Sequence, residues 1–331
     1  METNRHGIDR RDFIIQGAAA TGALLASQHL AHAAPAAPTV AIVRDKSKKV
    51  IDGHKVDAAI VQRLVDKAVM TLAGQDDPVK AWAKFVKPTD KVAVKFNGLF
   101  RRATTHPEMV DAVTASLTKL GVKPENIVVY DRDERALRTA GIKPNHTDTG
   151  PRVIGTEKVF RKTIDATYDK KVKAGPVETQ ITKLLTQADV LINLPIMKTH
   201  TLAGISGALK NHLGTIPNAR DFHREICRYV ADLNALEPIK AKTRLCICDA
   251  LYGLYDGGPR FRPRARWDYF GVIASADPVA LDATLADIIK AKRLEKGMSP
   301  YQRPIHHIER AAELGLGVAD LKKIQRVELD I

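Results

Sequence analysis

Short apolar runs alternate with longer amphipathic stretches along most of this chain. The stretch 57–74 carries apolar residues at helical spacing and ends at a glycine, whereas 91–98 alternates apolar and polar residues as a strand does. The same pattern predicts the further strands 39–45, 126–133, 188–196, 244–250 and 269–276 and the helices 105–121, 225–237 and 277–294. Alternating strands and helices predict an α/β fold with a mostly parallel sheet flanked by helices. The pattern also allows two lobes with a cleft between them, 39–193 and 194–331.

Capping signals set the boundaries of two of these helices. Thr105, followed three positions later by Glu108, predicts a capping box, and Gly121 predicts the end of the same helix. Asp277 is predicted to cap the helix that Pro278 begins.

Polar residues follow the apolar runs at the predicted carboxyl ends of four strands. These strand ends are Asn97, Asp131, Pro195 and Asp249. In open α/β sheets ligands bind at that edge, so we expect a site there. Lys95 and Asn97 could hold a carboxylate or phosphate from one side of this cleft.

The stretch 194–214, LPIMKTHTLAGISGALKNHLG, concentrates residues that bind ligands directly after an apolar strand. We expect a loop after Pro195 to lift Lys198 and His200 to the sheet edge, and the glycines to expose backbone amides to an anion. The predicted ligand-binding residues are Lys95, Asn97, Lys198, Gly204, Ser206, Gly207, Asn211, Arg220 and Gly258. In the alternative interpretation the glycines only turn the chain and the lysines are solvated.

Histidines and one aspartate suggest a metal site as well. His200, His223 and Asp249 could converge as two nitrogen ligands and one oxygen ligand, a set that suits zinc, iron or nickel. A lone histidine is more often an ordinary surface or core residue, and we interpret His306 and His307 as surface residues.

The first residues differ from the rest of the chain. Arg10 and Arg11, with Phe13 two positions on, resemble a twin-arginine export signal, and the segment 31–33 (Ala-His-Ala) fits a small-residue cleavage site. Glycines and a glutamine interrupt the apolar part, so no permanent membrane span is expected. We therefore predict a signal peptide at 1–33.

This signal implies the twin-arginine translocase as a partner and a periplasmic or secreted location. A short linker, 34–38, would precede the α/β domain at 39–331.

Composition narrows the ligand and cofactor classes. Lysine and arginine number 52 against 38 acidic residues, giving a net charge of +14. Export and the lack of a nucleic-acid-binding motif argue against DNA or RNA. A small anionic ligand is the expected partner, attraction to anionic lipid surfaces would also explain the charge, and a basic surface can serve solubility alone. Three cysteines without a C-x-x-C spacing make an iron–sulfur cluster unexpected, and we predict buried Cys227, Cys246 and Cys248.

The stretch LINLPIMKTHTLAGISGALKNHLG resembles the signature of the domain-of-unknown-function family 362. VAVKFNG, CDALYGLYDGGP and GVIASADPVALDA resemble further parts of that family's pattern. Many members carry an appended ferredoxin module, but this chain lacks its cysteine cluster, so electron transfer is not carried over.

A more distant similarity concerns the spacing H-x-x-x-G-x-S-G-x-x-K, formed by His200, Gly204, Ser206, Gly207 and Lys210. It is similar to a motif of the nickel-pincer lactate racemase family. That resemblance implies a lysine that holds a pyridinium-derived cofactor and a histidine that acts as base or metal ligand.

These observations predict an exported enzyme that depends on a metal or cofactor and acts on a small carboxylate or phosphate. Its chemistry would be that of a racemase, an isomerase or a redox enzyme, with His200 and Lys210 as catalytic residues. Neither the cofactor nor the metal is specified by the residues, although a divalent metal is compatible with them. The alternative is a non-catalytic periplasmic protein that binds a ligand or delivers a cofactor.

Overall fold

A computed structural model describes residues 37–147, 149–156 and 168–331. The predicted signal peptide lies outside the described residues, as do positions 34–36 of the linker.

The strands alternate with helices as the sequence predicts. They are β1 (Thr39–Arg44), β2 (Ile51–Asp52), β3 (Lys55–Val56), β4 (Val92–Phe96), β5 (Ile127–Asp131), β6 (Arg152–Gly155), β7 (Val172–Ala174), β8 (Val177–Thr179), β9 (Val190–Leu194), β10 (Ile196–His200), β11 (Gly204–Ile205), β12 (Thr243–Leu254), β13 (Arg266–Ser275) and β14 (Gln325–Asp330).

The helices are α1 (Ala58–Ala73), α2 (Pro78–Trp82), α3 (Pro107–Leu120), α4 (Glu134–Thr139), α5 (Lys183–Thr186), α6 (Gly207–Asn211), α7 (Tyr229–Asn234), α8 (Glu237–Lys240), α9 (Pro278–Glu295) and α10 (His306–Glu313). Among the described residues, none of these helices is both long and apolar enough to cross a membrane.

A mixed, mostly parallel sheet forms the centre of the fold, which confirms the predicted α/β class. Its order is β14-β1-β13-β12-β9-β4-β5-β6, and β10 and β11 join it beside β12. The pairs from β12 through β6 along this path are parallel, whereas β13 pairs antiparallel with both neighbours. The predicted lobes 39–193 and 194–331 share this sheet.

Side-chain alternation along the strands packs both faces of the sheet. On β1, Val40 and Ile42 join one apolar cluster while Ala41 and Val43 join the other, and all four are buried. Burying each large aliphatic side chain contributes about 1.5–3 kcal/mol. The three cysteines are free and buried in this core, as predicted.

Two predicted helix boundaries are confirmed by their caps. The Asp57 side chain accepts a hydrogen bond from the amide of Ile60, and Gly74 ends α1 in the left-handed region at φ 60°. Asp277 accepts from the amides of Val279 and Ala280 at the start of α9.

The predicted capping box at Thr105 is wrong. His106 occupies the N-cap of α3, with no side-chain cap. The Thr105 hydroxyl is buried, accepts from the amide of Asn97 and donates to the carbonyl of Leu194. A buried hydroxyl needs partners, and here it finds them by joining two strands rather than a helix end.

The predicted helix 225–237 is interrupted. Glu225, Ile226 and Cys227 all have positive φ, which a right-handed helix does not allow, and α7 begins only at Tyr229. The predicted loop after Pro195 is also wrong, because the chain re-enters the sheet as β10.

The long strand β12 provides the pairing edge for β10. Its first part pairs with β9 through Thr243–Cys246, and its second part pairs with β10 between Asp249 and Leu254. The sheet therefore forks, and β10 projects beyond the end of β9. This projection carries Lys198 and His200 forward to one edge.

Candidate functional site

A cavity of about 920 Å³ opens where β4, β5 and β10 end beside α6. This volume lies in the usual range for small-molecule sites. Nine of the predicted site residues line it, namely Lys95, Asn97, Lys198, His200, Ser206, Lys210, Asn211, Arg220 and His223. The carboxyl ends of the strands thus form the site, as the sequence predicts.

Charge in this lining is strongly unbalanced. Among the described residues, two carboxylates (Asp131 and Asp221) and six lysine or arginine side chains line the cavity. The six are Lys95, Lys198, Lys210, Arg132, Arg220 and Arg224. The excess of positive charge favours an anionic ligand, because a concave wall of low dielectric concentrates the field.

Of the three cavity lysines, Lys95 is the one that forms an ion pair with a carboxylate in the ranges that the structure describes. Its Nζ lies 2.8 Å from Oδ1 of Asp131, and both side chains are buried. Burial lowers the pKa of Lys95, against the opposing effect of Asp131. Asp131 also accepts from the amide of Gly98, so this pair fixes the base of the cavity.

Asn211 connects the helix α6 to the strands. Its Oδ1 accepts from Lys95 Nζ at 3.3 Å and from Asn97 Nδ2 at 3.1 Å, while its Nδ2 donates to Oδ1 of Asn193 at 2.7 Å. This network holds polar groups from β4, β9 and α6 in one arrangement.

Lys198 is buried beside Asn97 without a carboxylate partner in the described part of the chain. Its Nζ donates to Oδ1 of Asn97 at 2.9 Å and to the carbonyl of Ala103 at 2.6 Å. Burial lowers its pKa to about 7. Lys198 therefore changes charge near neutral pH.

Lys210 and His223 form a second pair. Lys210 Nζ lies 2.9 Å from Nε2 of His223, and Nδ1 of His223 lies 2.9 Å from the carbonyl of Ala219. A carbonyl only accepts, so Nδ1 carries the proton and Nε2 accepts from Lys210. Burial lowers the pKa of Lys210 to about 8, and burial together with the Lys210 charge lowers that of His223 to about 4.

His200 is neutral and oriented by the backbone. Its Nδ1 accepts from the amide of Leu202 at 3.1 Å, which leaves the ring proton on Nε2. Burial, followed by the charge of Lys210, lowers its pKa to about 2. His200 can therefore donate a hydrogen bond to a ligand oxygen, but it is a poor base.

The amides at the start of α6 do not face the ligand as expected. Those of Ala208 and Leu209 donate to the buried carboxylate of Asp282, at 2.5 and 3.0 Å. These two amides, which have no partner within the helix itself, are thus satisfied by a side chain from elsewhere in the fold. Burial raises the pKa of Asp282 to about 7.

The three predicted binding glycines do not line the cavity. Gly204 and Gly207 have positive φ, and a Cβ would meet the Arg303 carbonyl at 2.6 Å and the Asp282 carboxylate at 2.3 Å, respectively. At Gly258 a Cβ would stand 2.0 Å from the carbonyl of Thr199. These glycines allow close packing rather than ligand contact.

The structure brings two members of the predicted metal set together and places the third with another partner. The rings of His200 and His223 stack with centroids 5.7 Å apart. Asp249 instead contacts His106, whose ring Nδ1 and backbone amide both lie 2.7 Å from its Oδ2. Within the described ranges, no group of three or more His, Cys, Asp or Glu side chains is arranged to hold a metal ion.

His307 is the residue that the sequence interpretation misplaced. His306 lies on the surface beside Glu309, but His307 is fully buried, and its ring nitrogens have no hydrogen-bond partner within the described part of the chain. Burial and the nearby Lys210 charge lower its pKa to about 3. The amphipathic spacing of α10 was the available signal, because adjacent helical residues face different directions.

Two comparisons with known proteins show what this chain is similar to. Residues 92–287 match the model of a family described as a domain of unknown function, DUF362. A thylakoid-associated protein of Synechocystis sp. (strain ATCC 27184 / PCC 6803 / Kazusa) is 27% identical over 232 residues, which are 65% of this chain and 67% of that protein. The family match contains every cavity residue from Lys95 to Pro259.

Proposed function

Because the chain belongs to the DUF362 family, whose description assigns no activity, we propose a function from the cavity itself. The protein is an enzyme that binds a small carboxylate- or phosphate-bearing molecule and moves a proton on it. Lys198 and Lys210 carry this proposal, because both are buried in the cavity lining and neither contacts a carboxylate among the described residues.

Burying a cation without a partner is costly, so such a lysine either loses its proton or gains an anion. An anionic ligand would supply the negative charge that would balance Lys198 and Lys210. The exposed Arg220 and Arg224 also line the cavity and would attract the ligand from solvent.

The same lysines supply the acid–base chemistry. A group whose pKa is near the working pH exchanges protons most effectively, and the pKa values of Lys198 and Lys210 are about 7 and about 8. His200 complements them through its Nε2 proton, which can stabilise negative charge on a ligand oxygen. This division of roles replaces the expectation that His200 is the base. Proton transfer of this kind is the chemistry of racemases and isomerases.

A resident divalent metal does not fit these residues. Nε2 of His223 already accepts a hydrogen bond from Lys210, and Asp249 is hydrogen-bonded to His106. The excess of positive charge in the cavity would also repel a metal cation. The metal-dependent version of the function is therefore not proposed further.

Turnover and binding can be tested separately. Lactate, malate and phosphate would be screened for a rise in the melting temperature. Those binding compounds that have carbon-bound hydrogen would then be followed by NMR for deuterium incorporation from D₂O. We expect His200→Ala to bind the ligand but to lose most of the deuterium exchange. The control variant His54→Ala, at an exposed position, should retain both binding and exchange.

Binding without any exchange in the wild-type protein would favour the non-catalytic alternative, a ligand-binding or delivery protein. If none of these anions raises the melting temperature, the proposed function is wrong.

We also propose that the protein is exported by the twin-arginine route to the periplasm or beyond. The support is the sequence of residues 1–33 with its paired arginines.

A further inference from the structure

Lys210 occupies an environment that favours an uncharged amine. It is only 7% exposed, and its Nζ contacts an imidazole rather than a carboxylate. His200 and His307 also lie close enough for their pKa values to respond to its charge. No carboxylate among the described residues compensates the ammonium form. In that part of the chain, Cys227 is the one neighbour whose negative charge would raise the pKa of Lys210, and burial raises the pKa of that thiol. Nε2 of His223 is placed to accept the Lys210 proton.

Burial lowers the pKa of Lys210 to about 8. Roughly a tenth of the side chains would then be free amines at pH 7, whereas an ordinary lysine would be almost fully protonated. A desolvated lysine with a lowered pKa is a nucleophile toward carbonyl carbon.

We propose that Lys210 forms an imine with the ketone carbon of a 2-oxo acid bound in this cavity. The proposal rests on the proposed function and names its substrate class. Lys198 and Arg220 line the same cavity and can hold the carboxylate, while the Nε2 proton of His200 can meet the ketone oxygen. Imine formation would then acidify the carbon beside the former ketone for proton transfer.

The reaction is balanced without a cofactor. The Nζ lone pair attacks the ketone carbon, so that a C–N bond forms and the C–O π bond breaks. Both amine hydrogens end on the departing oxygen, which leaves as water, and a C=N bond remains. His223 Nε2 can receive the first proton and return it to the leaving oxygen.

Reductive trapping tests this assignment. The full protein would be incubated with pyruvate and sodium borohydride, whose hydride reduces the imine to a stable amine, and analysed by intact mass and peptide mapping. We expect one adduct per chain, located on Lys210. Trapping should fall by at least about tenfold in Lys210→Arg, because arginine keeps the charge without a nucleophilic amine.

Two further measurements keep the outcomes distinct. Oxalate carries carboxylates but no ketone, so it should raise the melting temperature and compete with trapping. Oxalate binding without a pyruvate adduct would overturn the imine and leave the proposed function intact. If oxalate does not bind and no pyruvate adduct forms, both the imine and the proposed function are wrong. An adduct mapped to Lys198 would also overturn the assignment.

The pH dependence needs only the wild-type protein and covers the case in which Lys210→Arg does not fold. The fraction of bound pyruvate that is trapped should rise through about pH 8 and level off above it, following the free amine of Lys210. A flat profile would contradict an attack by Lys210.

Discussion

The Asp282 carboxylate lies so close to Gly207 that a Cβ there would stand 2.3 Å from Oδ1. Asp282 cannot move away cheaply, because it is fully buried and accepts two amide hydrogen bonds at the start of α6. Gly207 also has a φ of +62°, which disfavours any other residue. The contact fixes the helix that carries Lys210.

Gly207→Ala should therefore destabilise the protein by about 3 kcal/mol or more, since overpacking and backbone strain act together. Gly297→Ala is the matched control, because Gly297 has a φ of +68° but nothing within 4 Å of the added Cβ. The control should lose roughly 1–2 kcal/mol from backbone strain alone. Urea unfolding of both variants measures the difference, and equal losses would show that the Asp282 contact is unimportant.

The pair of His106 and Asp249 should make stability depend on pH. Burial by itself would lower the pKa of His106, but the charge and hydrogen bond of Asp249 raise it above its ordinary value. The pair therefore stabilises the folded protein fully at a pH below about 6.5, the pKa of histidine in the unfolded chain. This stabilisation is lost as the pH rises through the higher pKa of His106 in the folded protein.

His106→Gln should therefore cost about 1.5–3 kcal/mol at pH 6, the range for a hydrogen bond between charged groups, and less at alkaline pH. The free energy of unfolding would be measured in urea from pH 5 to 9, with the exposed His54→Gln as control. A loss that grows with pH would contradict this pair's assigned charge state.

Anion affinity should weaken as the cavity lysines lose their protons. With pKa values of about 7 for Lys198 and about 8 for Lys210, oxalate should bind progressively more weakly above pH 7. Calorimetric titration between pH 6 and 9 gives the profile.

Lys198→Met should reduce affinity at pH 6 by roughly ten- to a hundredfold and flatten the profile, because one charged hydrogen-bond donor is removed. The control Lys322→Met, at an exposed lysine, should leave the oxalate affinity and its pH profile unchanged. A pH-independent affinity in the wild-type protein would mean that the lysines do not contact the anion.

Export should depend on the paired arginines. Replacing Arg10 and Arg11 together by lysine should leave an uncleaved precursor in the cytoplasm, because the translocase reads the guanidinium pair that the sequence resembles. Cell fractionation followed by intact mass analysis measures this outcome. Undiminished periplasmic accumulation of the double variant would exclude the twin-arginine route.

Local sequence determined the α/β class and many of the elements, because hydrophobic period and capping act within a few residues. The confirmed helix end at Gly74 and the confirmed cap at Asp277 are of this kind. Sequence proximity also placed Lys198, Ser206 and Lys210 correctly at one cavity, since they follow a single strand and the edge of a parallel sheet collects such residues.

Only the tertiary structure decided which groups face the ligand. Asp282 takes the α6 amides from a position more than 70 residues away, and Asp249 is drawn to His106 rather than to His200. The same packing buries His307 near Lys210. Such pairings depend on how the forked sheet and its helices pack. They give buried carboxylates such as Asp282 and Asp249 hydrogen-bond partners that no local pattern encodes.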